Sequence, residues 1–377
     1  MKFPQSLQNK LNIRKENNAL RVLNPQSQLV DFASNDYLGF SKCESIFNKS
    51  HQVLVDKQII QNGATGSRLL SGNHELFELT ENFIANFHQA ETALLFNSGY
   101  DANVGFFSTV PERNDIILYD ELCHASIRDG IQLSLAKSYK FKHNNLENLE
   151  ELILRFQSET IEIYIVTESV FSMDGDSPEI ESLVNLSEKH NALLVVDEAH
   201  ALGVIGNKGE GLVQKFQLQG KVFARIMTFG KGLGCHGSAV LGSNQLREFL
   251  INFCRSFIYT TALSPHAVGT ILVAFQELSL AHDKIKKLRE NSQYFDECCS
   301  NLNNYKSNNS SIKSIVISGN NKVKEMANFL QDNGFDVKPI LSPTVPVGQE
   351  RLRFCLHSYN SKNEIKQVLE LLSNFKK

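Results

Sequence analysis

Short apolar runs alternate with helical stretches from about residue 90 to Lys231, and no other feature constrains the fold as strongly. The runs are ALLFNS, DIILYD, SYKFKH, IEIYIVTESV, ALLVVDEAH and ARIMTFGK, most of them rich in aliphatic and β-branched residues. Between them, stretches such as LENLEELILRF and EIESLVNLSEKH carry apolar residues at helical spacing. This βαβ alternation predicts an α/β fold built on a parallel sheet.

Polar and ionisable side chains follow the ends of these predicted strands. Parallel strands present their carboxyl ends at one edge of the sheet, and open α/β sheets bind ligands in the crevice at that edge. We therefore expect five residues to gather there: Ser98, Glu168, Asp197, His200 and Lys231.

The pattern of predicted strands and helices changes after about residue 262. A long helical stretch from about Pro265 to Leu302 leads into the Asn- and Ser-rich break NNYKSNNSS. The strands IKSIVISG, DVKPIL and RLRFCLHS follow, with helices between and after them. We predict an N-terminal arm and segment at 1–40, a large domain at 41–262 and a small α/β domain at 263–377.

The composition excludes several classes of protein. With 38 basic and 41 acidic residues, the formal net charge of -3 gives no strong field to hold nucleic acid or an anionic membrane. The seven cysteines are odd in number and form no CxxC or CxxH spacing, so we expect neither a disulfide framework nor a metal site. No stretch reaches the ~20 apolar residues that cross a bilayer. These features predict a cytoplasmic protein.

The string LLVVDEAH delivers two carboxylates and a histidine at the end of an apolar strand, where we expect them to face solvent. In a nucleotide-driven helicase such residues hold magnesium, but that chemistry also needs the phosphate-binding motif GxxxxGK followed by Ser or Thr. Here Gly230-Lys231 is followed by glycine, so a DEAH-type nucleotide-binding module is the weaker interpretation. A purely structural role for Asp197 and His200 stays open at this point.

Residues Gly232 to Gly237 match GxGxxG, the glycine pattern of dinucleotide-binding turns. No acidic residue lies about 20 positions downstream, near Asn252, where such a fold binds ribose. The glycines are better explained as a place where the backbone passes close to a bound cofactor.

Lys231 lies on the same glycine-rich loop, three residues after Thr228. A lysine whose amine is easily deprotonated can bond covalently to a carbonyl carbon. Burial near a cofactor or near other cations makes the amine easier to deprotonate. Asp197 would then keep a pyridinium nitrogen protonated, so that the ring withdraws electrons. The cofactor that these roles describe is pyridoxal 5'-phosphate (PLP). An exposed surface lysine is the alternative.

A phosphate group needs hydrogen-bond donors, and Ser98-Gly99-Tyr100 opens the predicted helix DANVGFF directly after a strand. Helix N-termini bind such dianions, although an ordinary capped helix start explains the same residues. His124 follows the strand DIILYD, where a flat ring would stack on a pyridine. A buried core histidine is the alternative.

Several strings in a fixed order resemble the α-oxoamine synthases, over nearly the whole chain from Ala19 to Val368. They are DFASNDYLGF, GSRLLSGNHEL, FNSGYDAN, LCHAS, TESVFSMDGDSP, VVDEAHALGVIG, TFGKGLG, FIYTTALSP and SPTVPVGQERLRF. This family belongs to the fold-type I PLP enzymes. The resemblance implies a large domain with a mainly parallel seven-stranded sheet, a smaller C-terminal α/β domain, an N-terminal arm and a homodimer.

The resemblance also implies a role for each matching residue. Lys231 corresponds to the residue that holds PLP and acts as the base, Asp197 to the partner of the ring nitrogen, and His124 to the residue stacked on the ring. His200 with Ser172 corresponds to the group around the phenolic oxygen. The catalytic set implied is Lys231, His124, Asp197 and His200. Further cofactor contacts are implied for Ser98, Gly99, Tyr100, Glu168 and Thr228 and, across a subunit interface, for Thr260 and Thr261.

On the substrate side, Arg353 corresponds to the arginine that binds the amino-acid carboxylate, a bidentate contact that lysine makes poorly. Arg21 and Thr344 correspond to residues beside the acyl substrate, and Asn35 and His124 to further substrate contacts. The resemblance implies condensation of L-alanine with pimeloyl-CoA or a pimeloyl-acyl carrier protein, a step of biotin biosynthesis. Members that join glycine to acetyl-CoA, or serine to a long acyl chain, are the alternatives.

Two residues depart from the pattern of the family. His236 lies where relatives carry small residues, and Phe77 lies where many have histidine. Neither position has a role in the cofactor chemistry, so the departures bear on the acyl-chain preference.

Overall fold

The computed structural model describes residues 3–23, 25, 27–158, 160–302 and 304–375. The remaining residues fall within the arm and domains predicted from the sequence and lie outside the described part of the chain. The strands, in chain order, are β1 (Val30–Asp31), β2 (Thr92–Phe96), β3 (Ile116–Asp120), β4 (Lys137–Phe141), β5 (Ile163–Glu168), β6 (Leu193–Asp197), β7 (Ala224–Thr228), β8 (Ser238–Gly242), β9 (Ile312–Val316), β10 (Phe335–Asp336), β11 (Lys338–Ile340) and β12 (Arg351–Cys355).

The helices account for most of the remaining regular structure. They are α1 (Gln5–Glu16), α2 (Glu44–Asp56), α3 (Glu75–Phe87), α4 (Gly99–Thr109), α5 (Ala125–Leu133), α6 (Leu146–Phe156), α7 (Ile180–Lys189), α8 (Leu212–Lys215), α9 (Asn244–Phe253), α10 (Arg255–Ile258), α11 (Pro265–Leu278), α12 (His282–Cys299), α13 (Asn320–Asp332) and α14 (Lys362–Asn374). No helix in the described part of the chain combines the length and the apolar character needed to cross a membrane.

The chain divides into two compact units. The larger comprises Asn35–Ser172 and Asp176–Lys287, and the smaller comprises Met1–Ser34, Met173–Gly175 and Leu288–Lys377. The division therefore falls at Leu288 rather than near residue 262, because α11 packs against α2 and α3 of the larger unit. The N-terminal arm groups with the C-terminal segment instead of standing apart.

The larger unit is built on a seven-stranded sheet with the order β2-β8-β7-β6-β5-β3-β4. The neighbours from β7 to β4 run parallel, whereas β8 is antiparallel to both β7 and β2. Val195, Val166 and Ile226 on the central strands are fully buried, as expected where both faces of a parallel sheet are covered. The predicted α/β fold with a mainly parallel seven-stranded sheet is confirmed, although β8 was not among the strands expected from the sequence.

The smaller unit contains an antiparallel sheet, β11-β12-β9, and a parallel pair in which Val30 of β1 lies opposite Phe335 of β10. The short segment Met173–Gly175 belongs to this unit through two contacts. Asp174 forms an ion pair with Arg351 of β12. Gly175 has a φ of 74° and lies so close to the carbonyl oxygen of Ile312 that a Cβ there would overlap it. Only glycine fits this position without strain.

Helix boundaries agree with the sequence signals in some places and differ in others. Helix α14 begins with a capping box, in which Ser361 Oγ accepts from the Glu364 N–H and the Glu364 carboxylate accepts from the Ser361 N–H. The predicted helix from about Pro265 to Leu302 is wrong as a single element, because the chain turns between α11 and α12. At that turn the N–H groups of Leu280 and Ala281 donate to carbonyls three residues earlier.

Candidate active site

A row of hydrogen-bonding groups extends from Lys231, which lies three residues after the end of β7. Lys231 Nζ is 2.9 Å from His200 Nε2. The other ring nitrogen, His200 Nδ1, is 2.6 Å from the hydroxyl of Tyr37. That hydroxyl donates to Asn35 Oδ1 at 3.2 Å. The structure thus places Lys231 in direct contact with His200, and joins Asn35 to this pair through Tyr37.

Asp197 ends β6 and is buried. Its Oδ1 accepts a hydrogen bond from the Ala199 N–H at 2.9 Å, and its Oδ2 accepts one from Asn103 Nδ2 at 2.8 Å. The same amide nitrogen of Asn103 lies 3.0 Å from Ser126 Oγ on α5. These donors hold the carboxylate in one orientation and connect it to the helix that His124 precedes.

Glu168 ends the neighbouring strand β5 and lies opposite Asp197 in the register. Burial and the negative charge of Asp197 raise the pKa of Glu168 to about 8, although Lys231 acts in the opposite direction. Its Oε1 accepts a hydrogen bond from the His124 backbone N–H at 2.6 Å. A carboxyl group that stays protonated near pH 7 adds no second negative charge beside Asp197.

His124 is the N-cap residue of α5. Its Nδ1 accepts a hydrogen bond from the Ser126 N–H at 3.2 Å, which leaves the proton of a neutral ring on Nε2. Partial burial and the positive charge of Lys231 lower the pKa of the His124 imidazole. A neutral, flat ring at this edge of the sheet suits stacking against an aromatic cofactor.

The N-terminus of α4 forms a cradle with Thr228, the last residue of β7. Ser98 is the N-cap, and its Oγ accepts from the Asp101 N–H at 3.1 Å. A Cβ at Gly99 would overlap Thr228 Oγ1, so the absence of a side chain lets the threonine hydroxyl lie against the helix start. The first N–H groups of a helix have no acceptor within it, and together with a hydroxyl they suit a phosphate.

Two predicted phosphate contacts lie near this cradle within the same chain. Asn97, which precedes Ser98, donates through Nδ2 to Thr260 Oγ1 at 3.0 Å and to the carbonyl oxygen of Thr261 at 2.8 Å. Their contribution to a second subunit stays a prediction. Tyr100 is exposed and its hydroxyl donates to Asp129 at 2.6 Å, while Ser172 lies in the loop after β5.

Three predicted substrate residues belong to the smaller unit. Arg21 donates through Nη2 to Thr344 Oγ1 at 3.4 Å, so the two residues assigned to the acyl substrate are brought together. Arg353 lies on β12 opposite Ser314 of β9 and Lys338 of β11, and its Nη1 is 2.9 Å from Cys355 Sγ. The binding of an amino-acid carboxylate by Arg353 stays a prediction.

The expectation that LLVVDEAH delivers its polar residues to solvent is wrong. Asp197, Glu198 and His200 are all buried. Glu198 accepts hydrogen bonds from the N–H groups of Leu212 and Val213 at 2.8 and 3.0 Å, which ties it to the start of α8. Its role is therefore structural, because a buried carboxylate needs such donors.

The two departures from the family pattern have different surroundings. Phe77 is buried, and the Arg68 guanidinium lies 4.0 Å from its ring centroid. A cation at this distance is attracted to the ring face, which gives Phe77 a structural function. His236 is exposed on the loop between β7 and β8.

Sequence reasoning missed the residues that orient the candidate site. Tyr37 and Asn103 contact His200 and Asp197, and Ser126 contacts His124. Tyr37 stands in the string DFASNDYLGF and Asn103 in FNSGYDAN, so both were inside quoted motifs without a role. Their contacts join segments far apart in the chain, which one sequence does not reveal.

The donor set fits PLP. If PLP binds here, Asp197 would offer a fixed carboxylate to the ring nitrogen, Lys231 an amine to the aldehyde, and His124 a ring for stacking. The cradle of Gly99 and Thr228 would be filled by any larger side chain at position 99, and its donors suit the phosphate.

Known proteins match almost the whole of this chain. The family described as aminotransferase class I and II matches residues 27–372. The chain belongs to this family. An 8-amino-7-oxononanoate synthase from Emericella nidulans is 39% identical over 373 residues, which cover 93% of this chain and 90% of that protein. The resemblance to the α-oxoamine synthases, and among them to this synthase, is therefore confirmed.

Solved structures of family members have the same fold. The crystal structure of 8-amino-7-oxononanoate synthase from Francisella tularensis is 30% identical with a TM-score of 0.79, covering 93% of this chain and 98% of that one. A serine palmitoyltransferase variant from S. paucimobilis, with PLP and myriocin bound, is 25% identical with a TM-score of 0.89, covering 97% of this chain and 95% of that one. The chain is thus similar to enzymes of two substrate classes.

Proposed function

We propose that this chain is a PLP-dependent acyltransferase of biotin biosynthesis. It condenses L-alanine with a pimeloyl thioester, from CoA or an acyl carrier protein, and forms 8-amino-7-oxononanoate with release of carbon dioxide and the thiol. The observation that carries the proposal is the 39% identity to the Emericella nidulans synthase over 93% of the chain. The contact between Lys231 and His200 at the carboxyl edge of the sheet supports it.

PLP, when bound, supplies an electron sink for the negative charge that develops at the α-carbon of the amino acid. Lys231 would hold PLP through a covalent bond from its Nζ. Once the amino group of the substrate has replaced it in that bond, the released Nζ would take the proton from the substrate α-carbon and later return one. General-base catalysis of this kind contributes about 10²- to 10⁴-fold to the rate. His200, 2.9 Å from Nζ, orients the amine and is itself held by Tyr37.

Asp197 would maintain the proton on the ring nitrogen of bound PLP, because a neighbouring carboxylate favours the pyridinium form. Asn103 and the Ala199 N–H fix the two carboxylate oxygens, so little reorganisation is needed when the cofactor binds. Glu168, with its raised pKa, stays uncharged beside it. His124 would stack on one face of the bound ring.

The phosphate is held by the start of α4 and by hydroxyl groups. Ser98, Gly99 and Tyr100 provide backbone N–H groups, and Thr228 provides a hydroxyl against Gly99. Thr260 and Thr261 supply contacts across the interface of a homodimer. An active monomer in sedimentation experiments would contradict that part of the proposal.

Three of the predicted substrate residues, Arg353, Arg21 and Thr344, belong to the smaller unit. Arg353 binds the carboxylate of the amino acid with two parallel N–H donors, which fixes the orientation of the substrate and so favours cleavage of one bond at its α-carbon. Arg21 and Thr344, which contact each other, bind the acyl substrate. The enzyme works in the cytoplasm, which agrees with seven cysteines that form no disulfide.

Thiol release tests the choice of substrates. The purified holoenzyme is assayed with pimeloyl-CoA plus L-alanine, acetyl-CoA plus glycine, and palmitoyl-CoA plus L-serine under identical conditions. Fastest release from the first pair is expected. Preference for the second pair would retain the fold and cofactor but replace the proposed reaction.

The third pair is included because of a specific observation. The serine palmitoyltransferase structure has the higher TM-score, 0.89 against 0.79, although its sequence identity is lower, 25% against 30%. Backbone similarity is shared across the fold and does not select a substrate, because the choice of substrate depends on the side chains of the site. Release only from palmitoyl-CoA and serine would favour this second candidate.

A further inference from the structure

His143 lies between two carboxylates, outside the residues assigned to the reaction. Its Nδ1 is 2.9 and 3.1 Å from the two carboxylate oxygens of Asp120, and its Nε2 is 2.7 Å from Asp176 Oδ2. A neutral imidazole has only one N–H, so two carboxylates on opposite ring nitrogens favour the doubly protonated ring. Burial acts to lower the pKa of His143, but the hydrogen bonds and charges of Asp120 and Asp176 raise it to about 10.

Asp120 begins the loop that leads to His124. It is fully buried at the end of β3, and its Oδ1 accepts from the Leu122 N–H at 2.9 Å. Its backbone carbonyl accepts from the Cys123 N–H at 3.0 Å. The side chain and backbone of one aspartate therefore shape the four residues between β3 and α5. A shift of Asp120 would move the residue proposed to cover the cofactor ring.

Asp176 closes a second loop, the one that contains Ser172. Its backbone carbonyl accepts from the Phe171 N–H at 2.9 Å, and the Phe171 ring lies edge-on to the His143 ring with centroids 4.5 Å apart. Asn144 Nδ2 also donates to Asp176 Oδ2, at 3.0 Å. His143 thus contacts the loop of Ser172 through both a hydrogen bond and an aromatic contact.

We propose that His143 is a positioning residue for the reaction. By joining Asp120 to Asp176 it fixes, relative to each other, the loops that carry His124 and Ser172. The inference rests on the proposed function, which assigns His124 to the cofactor ring, and on the resemblance to the family, which assigns Ser172 to the phenolic oxygen. His143 itself touches neither cofactor nor substrate, and it acts only through the two aspartates.

The test compares His143→Gln with the matched control His190→Gln. His190 is more buried than His143, and its Nε2 contacts Glu150 Oε1 at 3.0 Å, but it follows α7 and has no hydrogen bond to the described residues of either loop. Measurements are the visible circular dichroism of the bound cofactor, the rate at which the holoenzyme loses PLP after dilution, and the melting temperature. For His143→Gln we expect a smaller visible signal at saturating PLP and about tenfold faster loss of PLP, as loss of supporting contacts around a bound group commonly produces.

Turnover gives a further readout. With His143→Gln, kcat should fall about tenfold while KM for the amino acid stays within about twofold, since misplacement of reacting groups lowers the rate more than binding. His190→Gln should match the wild type in the spectrum, the PLP loss rate and kcat. If His143→Gln lowers only the melting temperature and otherwise equals the control, His143 is merely structural and the proposal is overturned.

A second variant covers the case in which His143→Gln does not fold. Asp176→Asn keeps the ring and its contact with Asp120 but removes one charge, and it should produce the same changes to a smaller degree. An unchanged visible spectrum and PLP loss rate in Asp176→Asn would also overturn the proposal. A wild type that shows no visible cofactor band would instead refute the proposed function, and the inference with it.

Discussion

Two groups of ionisable side chains, one in each unit and each with buried members, differ in what lies beside them. In the larger unit, Glu168 and Asp197 end adjacent strands. Lys231 follows the next strand, β7, whose last residue, Thr228, lies against Gly99. In the smaller unit, Lys313 Nζ contacts Asp296 and the carbonyl oxygen of Asn308, each at 2.8 Å. Both groups combine a lysine with at least one carboxylate, but only the first lies at the carboxyl edge of a parallel sheet.

The two groups differ in their exposure to solvent and not in whether their pKa values are shifted. Burial raises the pKa of Glu168 and lowers that of Lys313, so both groups contain shifted residues. The Lys313 side chain has no exposed surface, whereas Lys231 is partly exposed on a loop. An amine that solvent cannot reach cannot meet a substrate. Shifted pKa values therefore indicate a functional site only when the group is also accessible at a ligand-binding edge.

The largest effect is expected for Lys231→Ala. Removing the amine removes both the bond to the cofactor and the proton carrier, so turnover should fall by about 10³-fold or more. The visible cofactor band should disappear while the far-ultraviolet circular dichroism stays the same. Lys221→Ala is the control, because Lys221 forms an exposed ion pair with Glu188. If Lys231→Ala retained the band and the turnover, the group that contains Lys231 would not be the cofactor site.

A smaller effect is expected for Gly99→Ala. The added methyl group overlaps Thr228 Oγ1, so either the hydroxyl or the helix start must move. Overpacking of this kind costs about 1–3 kcal/mol, and the affinity for PLP should fall by about tenfold. Gly220→Ala is the control, since a Cβ there would meet no atom within 4 Å. Equal PLP affinities of the two variants, from fluorescence titration, would argue against the cradle.

Lys313→Met should affect stability and leave the cofactor unchanged. It leaves Asp296 without its cation in a partly buried position, and the loss of a charged hydrogen bond costs about 2 kcal/mol. The exposed pair of Lys366 and Glu370 provides the control, because Lys366→Met should change stability by less than about 0.5 kcal/mol. Urea unfolding and PLP titration measure the two properties. Weaker PLP binding in Lys313→Met would show that the second group serves the site.

The smallest effect is expected for the pH dependence of the stability that His143 contributes. His143 has a folded-state pKa raised to about 10 from an ordinary value of 6.5, so its contribution to stability is fully present below pH 6.5 and is lost as the pH rises through about 10. The difference in melting temperature between wild type and His143→Gln should therefore narrow from pH 7 to pH 10. A difference that stays constant over this interval would contradict a charged ring in the folded protein.

The sequence predicted the strand ends of the larger unit because their signal is local. Apolar runs that end in Glu168, Asp197 and Thr228 show where β5, β6 and β7 stop. The motif strings indicated which polar residues to examine at those ends. Strand β8 was missed because the glycine-rich segment before it resembles a turn followed by a loop.

The orienting contacts were not predictable in the same way. Tyr37 and His200 are 163 positions apart, and Asn103 and Asp197 are 94 apart. No spacing rule relates residues at such distances. Glu198 illustrates the same limit, because its neighbour Asp197 points to the candidate site while Glu198 caps α8. Glu198 directly follows the last residue of β6, and the sequence does not indicate which of the two carboxylates faces a ligand.

The smaller unit is assembled from three pieces of chain, and this limits how the protein can be divided genetically. A fragment that starts at Leu288 lacks β1, the partner of β10, and also lacks Asp174, the partner of Arg351. Expressing it alone would leave a strand edge unpaired and a buried arginine without its carboxylate. A chimera that exchanges this unit with a relative must therefore replace all three segments together, including the three residues Met173–Gly175 in the middle of the chain.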